Sequence, residues 1–244
     1  MLKDLLLRAS AKNVTFVLPD MPYERQDRKD EPHVPISARV VAETISPGLK
    51  RVISMDLHSA QIQGFYPANV PFDALSSFPT VVPYLKTNPL VESLEELVIV
   101  SPDAGGTKRA GKLANKLGSR YPIAFIDKKR DPLTDKIKEM RLSGDVQDKD
   151  CLVIDDMYSS GSTSIESADE LLKNGARKLF CYSTHGWLTD PKLTPILFDK
   201  FERVMVSNTH YVEDSRFKVI DVSPAFAEAT WRAQTGRSIS RLYK

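Results

Sequence analysis

Short aliphatic runs that alternate with helical patterns of apolar residues constrain this chain more than any other feature. Residues 14–18, 51–55, 97–100, 123–126, 151–154, 178–184, 203–207 and 217–221 read as strands, and helical spacing fills most of the intervals, as over 36–45, 164–174 and 224–235. Strands separated by helices predict right-handed crossovers and a mainly parallel sheet with helices on its faces. Ligands of such sheets bind beyond the carboxyl ends of the strands. The turns that follow the strands therefore carry the functional argument.

Composition narrows the class. With 244 residues, 41% of them hydrophobic, the chain can bury a sizeable core as one large domain or two smaller ones. A net charge of +2, from 34 basic and 32 acidic residues, gives no field that argues for a nucleic acid or membrane partner. Cys151 and Cys181 each lie in an apolar run, which suggests neither a disulfide framework nor a zinc cluster and suits a reducing cytoplasm. The first residues are too short and too interrupted by charge to resemble a membrane span or a secretory signal.

Residues 151–163, CLVIDDMYSSGST, read as a strand, a polar turn and a helix start. The unpaired N–H groups and positive dipole end of a helix, with a loop of small residues before it, suit a phosphate. Ser159, Ser160, Gly161, Ser162 and Thr163 form that loop, and Asp155 and Asp156 at its rim are placed to accept hydrogen bonds from sugar hydroxyls. After the strand at 97–100, Asp103, Ala104, Gly105 and Gly106 form a second turn. Its glycines let backbone approach an anion, and Asp103 is suited to a divalent cation. The strand at 51–55 ends in Asp56 and His58, placed for metal or phosphate work. Residues 61–77 read as irregular, a crossing between two parts of the molecule. Residues 19–35 read as a long charged loop, either a solvated connector or a functional segment with Arg25, Gln26, Arg28 and Lys29 clustered in it. The densely charged residues 127–141 read as a mobile loop from which Lys128, Lys129 and Arg130 could close over a phosphoryl group.

PYERQDRKD, ISMDLHSAQIQGF, VSPDAGGTKRA, DKKR, VIDDMYSSGST and STHG, in this order and spacing, resemble the ribose-phosphate diphosphokinase family, the phosphoribosyl pyrophosphate synthetases. The resemblance implies an α/β fold of two tandem type I phosphoribosyltransferase-like halves with mainly parallel sheets. The N-terminal half is expected to be truncated, comprising residues 1–77 joined by 232–244, and the C-terminal half to comprise 78–231. It implies transfer of the diphosphoryl group of ATP to the C1 hydroxyl of ribose 5-phosphate, with Mg²⁺ as cofactor, in a cytoplasmic homo-oligomer (dimer or higher). On this resemblance Arg25 and Gln26 contact ATP, and His58 and Asp103 hold the metal. Asp103 to Gly106 form the diphosphate loop, and Lys128 and Arg130 stabilise the transition state. Asp155, Asp156 and Ser159 to Thr163 bind ribose 5-phosphate. Because relatives carry a further segment ahead of the position matching Leu5, the resemblance also leaves open a catalytically weak subunit that binds phosphorylated ligands and assembles with a longer enzyme.

Overall fold

Neighbouring residues within each apolar run point to opposite faces of a strand, and here both faces are covered. The computed structural model describes residues 1–88, 97–118, 121–130 and 137–243. The chain divides into two compact units, Met1–Ser77 with Val222–Lys244, and Phe78–Asp221.

The first unit contains α1 (Leu2–Arg8), β1 (Thr15–Val17), α2 (Ser37–Ile45), β2 (Arg51–Met55), a 3₁₀ segment over Ala60–Phe65, β3 (Phe72–Leu75) and α7 (Ser223–Gln234). The strands form a parallel sheet in the order β1-β2-β3, with Phe16 opposite Val52 and Ser54 opposite Ala74. Val52 packs with Val14, Ala38, Ala42 and Ile62 on one face, whereas the next residue, Ile53, packs with Met55, Leu75, Val222, Phe226 and Ala229 on the other. Helix α7 thus supplies the second cover. Burying Phe226 is worth about 1.5–3 kcal/mol, which is why the chain rejoins this unit at Val222 and not at residue 232. Strand β3 lies where the sequence reads as irregular. It is short and has a carboxylate at its centre, and that carboxylate is stabilised by a partner outside the segment, the ion pair of Asp73 with Arg51 on β2.

The second unit contains α3 (Phe78–Thr87), β4 (Leu97–Ser101), α4 (Thr107–Leu117), β5 (Ile123–Arg130), β6 (Ile137–Ser143), β7 (Asp150–Tyr158), α5 (Ser162–Lys173), β8 (Lys178–Gly186), α6 (Leu193–Lys200), β9 (Arg203–Ser207) and β10 (Lys218–Ile220). Its sheet runs β10-β9-β8-β7-β4-β5-β6, parallel except for the β5–β6 pair. Val98, Val100, Val153 and Cys181 face Ala168, Leu171 and Leu197 of α5 and α6. Ile99, Leu152, Ile154 and Tyr182 face Val81, Ala110 and Leu113 of α3 and α4. The central strands β4, β7 and β8 are therefore apolar on both sides, the pattern of strands buried between helix layers.

The expected mobile loop at 127–141 needs correction. Residues 127–130 and 137–141 are paired antiparallel strand, Asp127 opposite Arg141 and Lys128 opposite Met140, with a register shift between Lys129 and Arg130. High charge misled the reading because this hairpin extends at the sheet edge, where charged side chains are the common occupants. Residues 131–136 of that stretch lie outside the described residues. Among the described residues, no helix is long and apolar enough to cross a membrane.

Candidate active site

Strands β4 and β7 are neighbours in register, Val100 opposite Val153, so the turns after them lie side by side at the carboxyl edge of the second unit's sheet. Strand β7 continues past the end of this pairing, with Asp155 opposite Ser183 and Tyr158 opposite Gly186 of β8. The two carboxylates thus stand within a strand, not in a turn, and their backbone is held by the sheet.

The turn after β4 is closed by its own polar groups. Ser101 Oγ donates to the Asp103 carbonyl at 2.7 Å, the Gly106 N–H donates to Asp103 Oδ1 at 2.8 Å, and Thr107 Oγ1 donates to the Ala104 carbonyl at 2.8 Å. A Cβ at Gly106 would stand 2.5 Å from Ser101 Oγ, so a larger residue would push that hydroxyl off its bond to Asp103. Asp103, Ala104 and Gly105 are exposed, leaving the outer side of the turn open to a ligand.

Helix α4 begins directly after that turn, and its first turn carries Arg109. The guanidinium bridges both carboxylates, Nη1 at 3.6 Å from Asp155 Oδ1 and Nη2 at 3.2 Å from Asp156 Oδ2. All three side chains are largely buried. Burial first, then the charge of Asp156 and a hydrogen bond with it, push the Asp155 carboxyl well above the usual carboxylate range, and Arg109 opposes that rise. In the sequence alone Arg109 carries no mark of a role. The available signal was its place in the first turn of a helix whose N-terminus faces the site.

The small-residue loop after β7 leads into α5 through Gly161, whose φ of 91° is the left-handed conformation; a Cβ there would also press to 3.0 Å from Leu197 Cδ1. Ser160 Oγ and Ser162 Oγ are 3.0 Å apart, and the Ser162 N–H points to Ser160 Oγ at 3.3 Å. The Ser159 carbonyl accepts from the Thr189 N–H at 2.8 Å, which fixes the start of the loop. Residues 159–163 therefore surround the N-terminus of a twelve-residue helix, a place that favours an anion.

Lys128 projects from β5 onto the same helix. Its side chain is only 7% exposed, and its Nζ donates to Glu166 Oε2 at 3.1 Å and to the Thr163 carbonyl at 3.4 Å. The side chain of Arg130 lies outside the described residues. Opposite in character are the candidates of the first unit. Arg25, Gln26 and His58 are exposed, and backbone bonds hold their segments: the Gln26 N–H donates to the Tyr23 carbonyl at 2.9 Å, and the Gln26 carbonyl accepts from the Ala38 N–H at 3.1 Å. The loop 19–35 is more than a solvated connector, since it buries Met21, Glu24 and Asp27. Glu24 Oε2 accepts from the His58 N–H at 3.1 Å, so this buried acid, another residue that sequence reading passed over, brings the His58 turn beside Arg25.

A mainly parallel sheet flanked by helices, with a paired-carboxylate strand, an arginine across both acids and a small-residue loop at a helix start, defines an α/β protein with a polar site at the carboxyl edge of its sheet. Comparison with known proteins gives the family. Residues 1–47 match the N-terminal domain of ribose phosphate pyrophosphokinase, and residues 123–244 match the phosphoribosyl synthetase-associated domain. The ribose-phosphate pyrophosphokinase of Aquifex aeolicus is 38% identical over 98% of this chain and 76% of its own length. Ribose-phosphate pyrophosphokinase 3 of Saccharomyces cerevisiae is 39% identical over 97% of this chain and 73% of its own length. The crystal structure of phosphoribosylpyrophosphate synthetase from Mycobacterium smegmatis matches with a TM-score of 0.86 at 33% identity, covering 96% of this chain and 76% of that one. The chain belongs to the ribose-phosphate pyrophosphokinase family.

Proposed function

We propose that this chain transfers the diphosphoryl group of ATP to the C1 hydroxyl of ribose 5-phosphate, releasing AMP and phosphoribosyl diphosphate. The observation that carries this reading is the pair Asp155 and Asp156, bridged by Arg109 beside the start of α5, in a chain 38% identical to a ribose-phosphate pyrophosphokinase. Two carboxylates accept hydrogen bonds from the ribose hydroxyls, and the N–H groups and hydroxyls of residues 159–163 hold the 5-phosphate.

Phosphoryl transfer depends on positioning and on neutralising charge spread over non-bridging oxygens. Lys128 supplies a fixed cation there, and Arg130 is assigned the same task. Arg25 and Gln26 are assigned to ATP. The diphosphoryl group rests on the turn 103–106, whose glycines admit its oxygens. Mg²⁺ fits the donor set. Asp103 offers a hard carboxylate oxygen on an open turn, with one oxygen already fixed by Gly106, and Mg²⁺ takes few protein ligands and keeps waters. Asp103 would hold the ion, with His58 acting through water, since an imidazole is the less natural partner for so hard a cation. When bound, the ion neutralises phosphate charge.

We place the protein in the cytoplasm as a homo-oligomer, with no nucleic acid or membrane partner; sedimentation equilibrium at the mass of a single chain would refute the oligomer. The activity is tested by incubating the protein with Mg²⁺, ATP and ribose 5-phosphate and following phosphorus NMR. Equimolar AMP and phosphoribosyl diphosphate are expected. Saturable ribose 5-phosphate binding with no product would overturn the catalytic reading in favour of a non-catalytic subunit.

A further inference from the structure

We propose that Glu166 is a positioning residue for Lys128: it docks the ammonium on the first turn of α5 with one N–H left for an oxygen of the transferring diphosphoryl group. The inference rests on the functional reading above, because it concerns the same site. A lysine ammonium has three donors. Two are engaged here, by Glu166 Oε2 at 3.1 Å and the Thr163 carbonyl at 3.4 Å. Glu166 and Thr163 are three residues apart on one helix, so they present both acceptors on the same face.

Burial makes this arrangement more than a surface ion pair. A charged amine that is 7% exposed is costly unless a counter-charge and hydrogen bonds satisfy it. Among the described residues, Glu166 is the carboxylate that pairs with it, and Thr163 belongs to the loop assigned to the 5-phosphate. Lys128 is also fixed from behind, because its backbone lies in the β5–β6 hairpin opposite Met140. The cation therefore reaches the reacting phosphoryl group from an ordered strand, with its direction set by α5. Held in this way, it needs little reorganisation when charge develops. The Glu166 side chain is 38% exposed, so replacing it leaves no cavity.

The test uses the full chain and two readouts. Glu166→Ala is expected to lower kcat about tenfold while the ribose 5-phosphate KM stays within about twofold, the signature of an interaction made in the transition state. Glu166→Gln should keep at least about half of kcat, because its amide oxygen still accepts from the ammonium. In a Lys128→Ala background, Glu166→Ala should have no further effect. Separately, trace acetylation read by peptide mass should label Lys128 about tenfold faster in Glu166→Ala than in the parent, by the loss of burial. An unchanged kcat in Glu166→Ala, or an equal further loss in the Lys128→Ala background, would overturn the positioning role. Equal labelling would overturn the docking itself. A parent protein that makes no product but shows the labelling difference would refute the functional reading and leave the docking intact.

Discussion

In the second unit the candidate residues are knitted side chain to side chain, whereas in the first Arg25 and Gln26 are exposed on a segment pinned by backbone bonds. Arg109 spans Asp155 and Asp156, Lys128 is held by Glu166 and Thr163, and Ser160 meets Ser162. Arg25 and Gln26 instead are exposed on a turn held by the Tyr23, Gln26 and Ala38 backbone. Pre-positioned polar groups lose little freedom when a ligand arrives, while exposed long side chains lose about 0.5–1.5 kcal/mol each when immobilised. The residues assigned to the sugar phosphate are thus ordered in advance, whereas Arg25 and Gln26, assigned to ATP, are expected to order on binding.

The largest expected effect breaks the second unit's network at the reacting group. Lys128→Ala should lower kcat by about 10²–10³-fold, with a much smaller change in ribose 5-phosphate binding measured by calorimetry. Comparable losses in both would show that Lys128 binds substrate in the ground state and does not serve the transition state. Next in size is Arg109→Met. Without the guanidinium the two acids repel each other and lose their alignment, so the KM for ribose 5-phosphate should rise about 10–100-fold, and Arg109→Lys should recover only part because one ammonium cannot span both carboxylates. An unchanged KM would sever Arg109 from the sugar site.

What the sequence disclosed divides by the range of the interaction, not by unit. Local signals were legible: the strand runs, the glycine at the entry to α5, the Gly-Gly turn and the acid pair all follow from short-range rules. Interactions between distant segments were not. Arg109 reads as one more basic residue on an exposed helix until β4 and β7 are known to be neighbours, and Glu166 reads as a solvated helix position until β5 delivers Lys128 to it. Charge density turned the β5–β6 hairpin into an apparent loop, and Asp73 concealed β3 because its partner Arg51 lies on another strand. Buried Glu24 escaped for the same reason, since its partner is the backbone of His58.

The first unit should respond more gently. Arg25→Ala or Gln26→Ala is expected to raise the KM for ATP about five- to tenfold and leave that for ribose 5-phosphate unchanged, as steady-state kinetics with each substrate varied would show. Exposed side chains that order only on binding contribute little beforehand, and neither substitution should move the thermal midpoint. A loss of stability on removing Arg25 would mean that Arg25 itself helps to hold its segment, and the contrast between the units would weaken.

The smallest effect concerns stability. Burial, the charge of Asp156 and the bond between the two acids raise the Asp155 carboxyl in the folded chain, with Arg109 opposing them. Below the ordinary aspartate value of about 3.9, Asp155 is protonated folded or unfolded and costs nothing. As pH rises past that value the unfolded chain releases its proton first, so folding stability falls until the pH passes the raised folded value and is level thereafter. Asp155→Asn has no such proton to lose. Without ligand or metal, its thermal midpoint should match the parent near pH 4 and exceed it at pH 8, while ribose 5-phosphate binding is lost. Such a trade is expected of a site kept charged for its ligand. A parent more stable than the variant at pH 8 would mean that Arg109 more than offsets the burial of Asp155, and that the acid pair is a structural bond before it is a binding one.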